Sequence, residues 1–229
     1  MTINLSDTLV VGISATALFD LSEADKVFRA KFDEDRDTAV NEYRDYMLAR
    51  EDDDLDDGTG LPLVKALLEL NMHEKNVDSP LIEVVVMSRN SPETGIRVLK
   101  NIRSRALEVS RHAFTGGESV VDYLEAFDVD LFLTTNVKDA QRVIDGGNCA
   151  VAIVKKPPGN QSNIKKGQVR IAFDGDAVLF DASELVYKSD RLKQFQENED
   201  QNQDTPFLKD HMLLYSGSYL DCKIGCLLV

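Results

Sequence analysis

Residues 8 to 154 predict an α/β protein, a doubly wound and mostly parallel sheet with helices on both faces, and the start of a second such unit follows. Three observations predict this. Short apolar runs alternate with helical-period segments, and parallel strands are the ones that need crossover helices between them. Lys155-Lys-Pro-Pro-Gly-Asn-Gln-Ser-Asn163 has the composition of an exposed linker. Beyond that linker the strand, loop and helix that open the chain are begun again.

Thr8-Leu-Val-Val-Gly-Ile-Ser14 is an apolar run ending in small polar residues, which reads as a buried strand delivering a loop. Residues 22 to about 50 are charged and read as one helix, broken by Glu51-Asp-Asp-Asp-Leu-Asp-Asp57 before Gly58-Thr-Gly60. A second helix carries Leu63, Leu67 and Leu70 on one side and runs into the strand Leu81-Ile-Glu-Val-Val-Val-Met-Ser88. Residues 92–105 place Ile96, Leu99 and Ile102 at helical spacing, and residues 119–127 read as another helix after the turn Thr115-Gly-Gly117. The strands Asp130-Leu-Phe-Leu-Thr134 and Cys149-Ala-Val-Ala-Ile-Val154 bracket a helix over residues 138–144. The expected organisation is a first α/β unit over 1–155, a linker over 156–167, the start of a second unit over 168–210, and an atypical tail over 211–229.

Lys plus Arg number 26 against 40 Asp plus Glu, a net charge of −14 on 229 residues that are 43% hydrophobic, with a pI near 4.6. So acidic a chain repels phosphate backbones and anionic lipid, which excludes a sequence-independent nucleic-acid or membrane-surface role. No run of about 18 apolar residues is present to span a membrane, and residues 1–10 lack the basic start and apolar core of a signal peptide. A soluble cytoplasmic protein is expected. Cys149, Cys222 and Cys226 are an odd, scattered set that cannot form a disulfide framework, which fits a reducing compartment.

Val11 to Asp20, with Ser22-Glu23 after it, can be laid over Ile171 to Asp181 and Ser183-Glu184 with a one-residue slip. Ser14 then falls on Asp174 and Thr16 on Asp176. Two carboxylates two residues apart at a strand end can point into one site, one toward a metal or a phosphorus atom and the other toward a departing oxygen, while Gly175 lets the backbone approach closely; a plain acidic turn after a strand is the alternative.

Phe173-Asp-Gly-Asp-Ala-Val-Leu-Phe180 resembles the first motif of the haloacid dehalogenase superfamily, and a longer series of segments resembles its type I cytosolic 5'-nucleotidases. These are Ala17-Leu-Phe19, residues 43–51 leading to Val64-Lys-Ala-Leu-Leu68 and Asn71, Ala113-Phe-Thr-Gly-Gly-Glu-Ser119, Tyr123-Leu-Glu-Ala-Phe127, Asp130-Leu-Phe-Leu133 and residues 170–180. The likeness covers roughly residues 8 to 210. It implies a Rossmann-like fold of the haloacid dehalogenase kind and magnesium-dependent hydrolysis of nucleoside monophosphates, AMP-like or pyrimidine, in the cytoplasm. By the same resemblance Asp174 is the nucleophile, Asp176 the acid and then the base, and Mg2+ lies between Asp174, the main-chain carbonyl of Asp176 and the phosphate. Ser88 and Arg89 are candidates to hold a phosphate oxygen, as are Thr115, Gly116 and Gly117 through their amides.

In that family the second unit continues through a Ser or Thr after a strand, a phosphate-binding Lys and an acidic pair, and this sequence reaches Val229 before any of them. The expectation is a truncated second unit of weak or absent activity. A non-catalytic nucleotide-binding protein, forming a homo-oligomer or pairing with a full-length homologue to modulate it, is the alternative. A phosphoaspartate receiver is disfavoured, because a second acid at Asp176 suits turnover. Glu51 to Asp57 fails as an EF-hand, with Leu55 in a ligand position and Val64 in place of the bidentate Glu. His73, His112 and His211 have no metal-ligand spacing. Cys226-Leu-Leu-Val229 has the shape of a prenylation box without an upstream polybasic run or a usual final residue.

Overall fold

The computed structural model describes residues 5–74, 79–147, 149–155 and 168–169. The chain divides into two units, Met1–Gln168 and Val169–Val229, and all the described strands and helices belong to the first. Asp174, Asp176, the linker and the tail lie outside the described residues.

Five strands form one sheet in the order β3-β2-β1-β4-β5, and every pairing is parallel. They are β1 (Leu9–Ser14), β2 (Ile82–Ser88), β3 (Arg111–Phe114), β4 (Leu131–Thr134) and β5 (Ala150–Ile153). This is the expected doubly wound, Rossmann-like fold. The two longest strands lie side by side, β1 flanked by β2 and β4, and β2 is buried along its whole length, as a strand covered on both faces has to be. Val10, Val85, Met87 and Phe132 pack with Leu124 and Val143 in one apolar layer. Leu61, Val64 and Leu67 of the helix Leu61–Glu69 are fully buried as well.

The helices in chain order are α1 (Ala15–Leu18), α2 (Ser22–Phe32), α3 (Arg36–Ala49), α4 (Leu61–Glu69), α5 (Pro92–Ser104), α6 (Val121–Leu124) and α7 (Val137–Gly146), with short 3-10 turns after α4 and α6. Right-handed crossovers put α4 and α5 on one face and α6 and α7 on the other, because the strand order reverses at β1. No described helix is long and apolar enough to cross a membrane.

The expected single helix over residues 22–50 is two. Asp35 ends it by turning into an N-cap, its carboxylate accepting from the amides of Asp37 and Thr38 at 3.0 and 3.3 Å, and the second helix folds back on the first. The hairpin so formed leaves and rejoins the fold at one point, where Phe19 bridges Asp57 and the Asp20 amide donates to the Asp56 carbonyl at 2.9 Å. Gly58 makes that closure possible. A Cβ on it would stand 2.4 Å from the Ala17 carbonyl oxygen, so only glycine passes there.

Two expected helix faces are corrected by rotation. In α4 the buried residues are Leu61, Val64, Leu67 and Leu68, while Leu63 and Leu70 are only half-buried. In α5 Ile96 is exposed, and Thr94, Arg97 and Asn101 are buried beside Val98 and Ile102. Arg97 and Asn101 face inward because they hold the acidic loop, whereas Thr94 bonds to Ser91 at the start of its own helix. Arg97 Nε and Asn101 Nδ2 donate to the Asp53 carbonyl at 3.3 and 3.2 Å, and Asn101 Oδ1 accepts from the Leu55 amide at 2.8 Å. Lys100 reaches Glu51 and Asp52 at 2.8 and 2.5 Å. Residues 51–57 are therefore a clamped loop rather than a free one.

The edge strand β3 had no strand pattern of its own, since it begins Arg111-His112. Beside its parallel backbone pairing, the buried Glu83 ties it to β2, its two oxygens accepting from Arg111 Nε and Nη2 at 2.8 and 2.6 Å.

Candidate functional site

In an open parallel sheet the ligand crevice lies outside the carboxyl ends of the strands where their order reverses, here between β1 and β4. Three hydroxyls stand in a row there. Ser14, the last residue of β1, caps α1 by accepting from the Ala17 amide at 3.2 Å. Its Oγ lies 3.2 Å from Thr16 Oγ1, which lies 3.2 Å from Thr135 Oγ1 just beyond β4. Thr16 and Thr135 are exposed.

Of the residues singled out in sequence, Ser88 and Arg89 sit on the same edge at the end of β2. Ser88 is buried, and its Oγ accepts from the Asn90 amide at 3.3 Å. Arg89 Nη2 donates to Asp139 Oδ1 on α7. Because β1 lies between β2 and β4, a pair that joins the loop after β2 to the helix after β4 spans the end of β1. Asp139 is itself buried, with its amide donating to the Oδ1 of the N-cap Asn136 at 3.3 Å.

Thr115, Gly116 and Gly117 are close to this edge in a different role. Their amides donate to the carbonyls of Ser88, Asn90 and Arg89 at 2.9, 3.0 and 2.7 Å. The turn, with both glycines at positive φ, braces the loop after β2 and leaves none of these three amides open to a phosphate in this conformation. The helical hairpin reaches the same loop. Tyr43 on α3 donates to Asn90 Oδ1 at 2.9 Å, and burial pushes its hydroxyl up to about 12, so it stays a donor at neutral pH. Phe28 of α2 packs edge-on to it with ring centres 6.1 Å apart.

This edge does not suit magnesium. Mg2+ takes carboxylate, water and phosphate oxygens, whereas the groups here are neutral hydroxyls and a carboxylate already paired with a guanidinium. Among the described residues no group of three or more His, Cys, Asp or Glu could hold a metal ion. The internal repeat singles out Ser14 and Thr16 in the places of acids but gives no sign of Asp139. The one signal for it is local, an acid three residues after an N-cap Asn, and that pattern speaks of capping rather than of Arg89.

A family model described as 5'-nucleotidase matches residues 1–213. The human protein cytosolic 5'-nucleotidase 1B is 26% identical over 193 residues, which are 82% of this chain and 30% of that protein. The chain thus spans under a third of the length of that relative. No solved structure matches. With the parallel sheet, its order reversal at β1 and a family match across almost the whole sequence, this chain belongs to the 5'-nucleotidase family.

Proposed function

We propose that this chain hydrolyses nucleoside 5'-monophosphates to nucleoside and inorganic phosphate in the cytoplasm, with Asp174 and Asp176 as its catalytic residues. The observation that carries the reading is that Asp174-Gly-Asp176, an acid pair at the end of an apolar run, falls inside the segment that matches the 5'-nucleotidase family. The Asp174 carboxylate attacks phosphorus and the bond from phosphorus to the 5'-oxygen breaks. Asp176 gives its proton to that oxygen as the nucleoside leaves. Asp176, now a base, takes a proton from water, the water oxygen attacks phosphorus, and phosphate departs with Asp174 restored. A magnesium ion held by Asp174 and Asp176 would screen the charge that opposes attack by one anion on another.

Phosphate release from a panel of nucleoside monophosphates, with and without magnesium, tests this. Asp174→Asn should abolish release. Asp176→Asn should lower it by at least about a hundredfold, the typical worth of a positioned acid or base. Release unchanged in both variants contradicts the assignment.

The second reading is a nucleotide-binding protein without turnover, acting as a homo-oligomer or beside a full-length homologue. It is favoured by the first unit, which carries Ser14 and Thr16 where the sequence overlay puts the acids of the second. Nucleotide binding with no phosphate released from a folded sample would establish it.

A further inference from the structure

We propose that the crevice at the end of β1 is a non-catalytic phosphate site, in which Ser14, Thr16 and Thr135 receive a phosphate dianion while Asp139 competes with that dianion for Arg89. The ligand class is a dianionic phosphate, free or as the phosphomonoester of a nucleotide.

The hydroxyl row has more donors than partners. Three O–H groups share two contacts, Ser14 with Thr16 and Thr16 with Thr135, and Ser14 Oγ already accepts from Ala17. Among the described residues no carboxylate or carbonyl accepts from any of the three. At least one O–H is therefore free for an acceptor outside the row, which at these exposed positions is water until a ligand displaces it, at a strand-order reversal where ligands of such sheets sit. Phosphate oxygens fill that need with strong, charge-assisted bonds.

Charge favours an anion there over a cation. The residues in the row are neutral, so they impose no repulsion on a dianion although the chain as a whole is at −14. Arg89 supplies the positive charge. Its guanidinium has five donors, and among the described residues its partner is Asp139 alone. At the start of α7 the amides of Lys138 and Asp139 are already taken, because Asn136 Oδ1 accepts from both.

The Arg89–Asp139 pair makes occupancy conditional. Asp139 is buried and tied through its own backbone to the α7 cap, so it is the fixed partner, whereas Arg89 is exposed on a loop. A dianion at the hydroxyl row draws Arg89 from Asp139 and so loosens the link across the end of β1. A bound ester stays intact, because among the described residues the three hydroxyls have only one another and the Ala17 amide as partners and no base to activate them as nucleophiles.

The test uses the full chain carrying Asp174→Asn, without magnesium, titrated calorimetrically with inorganic phosphate, AMP and adenosine. Phosphate and AMP are expected to bind and adenosine not. Thr16→Val with Thr135→Val should weaken both by about tenfold, and Arg89→Met should also weaken them. Asp139→Asn should tighten both several-fold, a gain that misfolding cannot imitate. Phosphate held equally well by the double valine variant, tightening absent in Asp139→Asn, adenosine binding as well as AMP, or no phosphate binding at all would each overturn the proposal. The outcome is independent of hydrolysis at Asp174, which phosphate release from the unaltered chain reads separately.

Discussion

At the scale of single residues, the buried carboxylate of Glu83 is tied at both oxygens to Arg111, which in turn lies over the Phe127 ring at 5.6 Å. Removing Arg111 leaves a carboxylate with 6% of its side chain exposed and its strongest partner gone. Arg111→Met should cost on the order of 3 kcal/mol in urea denaturation, and Glu83→Gln in the same background should recover part of it. A loss near zero for Arg111→Met would mean that β3 is held by its backbone pairing alone. Gly58→Ala is expected to be worse than its small volume suggests, because the new methyl meets backbone atoms of Ala17, Leu18 and Phe19 at 2.4 to 2.6 Å. A thermal midpoint equal to that of the parent would contradict this. Neither position announces itself in sequence. Glu83 sits in an apolar run as one of many acids, and Arg111 follows it by 28 residues with nothing local to couple them.

At the scale of elements, the N-caps decide boundaries that composition blurred. Residues 22–50 have helical composition throughout, so the break at Asp33-Glu34-Asp35 is illegible without the Asp35 carboxylate that caps α3. Hydrogen bonds from Thr38 hold that carboxyl below its ordinary 3.8. A depressed carboxyl contributes stability above its unfolded value and loses it as pH falls through the folded one. The hairpin should therefore weaken with acid, between about pH 5 and about pH 2. Asp35→Asn, which keeps a capping oxygen and cannot titrate, should shrink the fall in thermal midpoint over that range, and an unchanged fall would remove Asp35 from the acid response. Asn136 does the same work for α7, accepting from Lys138 and Asp139. Asn136→Ala should cost about 1 kcal/mol in urea denaturation. The faces of α4 and α5 show the complementary limit of periodicity. Hydrophobic spacing places a helix, but in α5 the buried residues include Arg97 and Asn101 beside Val98 and Ile102, because the acidic loop is held there too.

At the scale of the whole molecule, alternating strands and helices made the parallel sheet legible. Four of its five strands follow from apolar runs between 8 and 154, and the fifth, β3, does not because its pairing rests on Arg111 and the β2 backbone. The crevice was legible in part. Ser14 and Thr16 emerged from the internal repeat and Ser88 and Arg89 from the strand end, whereas Asp139 is joined to Arg89 across 50 residues and only the fold brings them together. The amides of Thr115, Gly116 and Gly117, attractive in sequence as a phosphate cradle, are turned to the loop after β2. Chemistry in the proposed reading rests on Asp174 and Asp176, and its central claim is a covalent phosphate on Asp174. The most direct measurement is a borohydride quench during turnover of a nucleoside monophosphate with magnesium, followed by mass spectrometry of the peptide that contains residue 174. An acyl phosphate there is reduced to homoserine, so the expected result is homoserine at position 174 that depends on substrate and magnesium. Phosphate released with Asp174 unreduced, or reduction at another carboxylate instead, would contradict it.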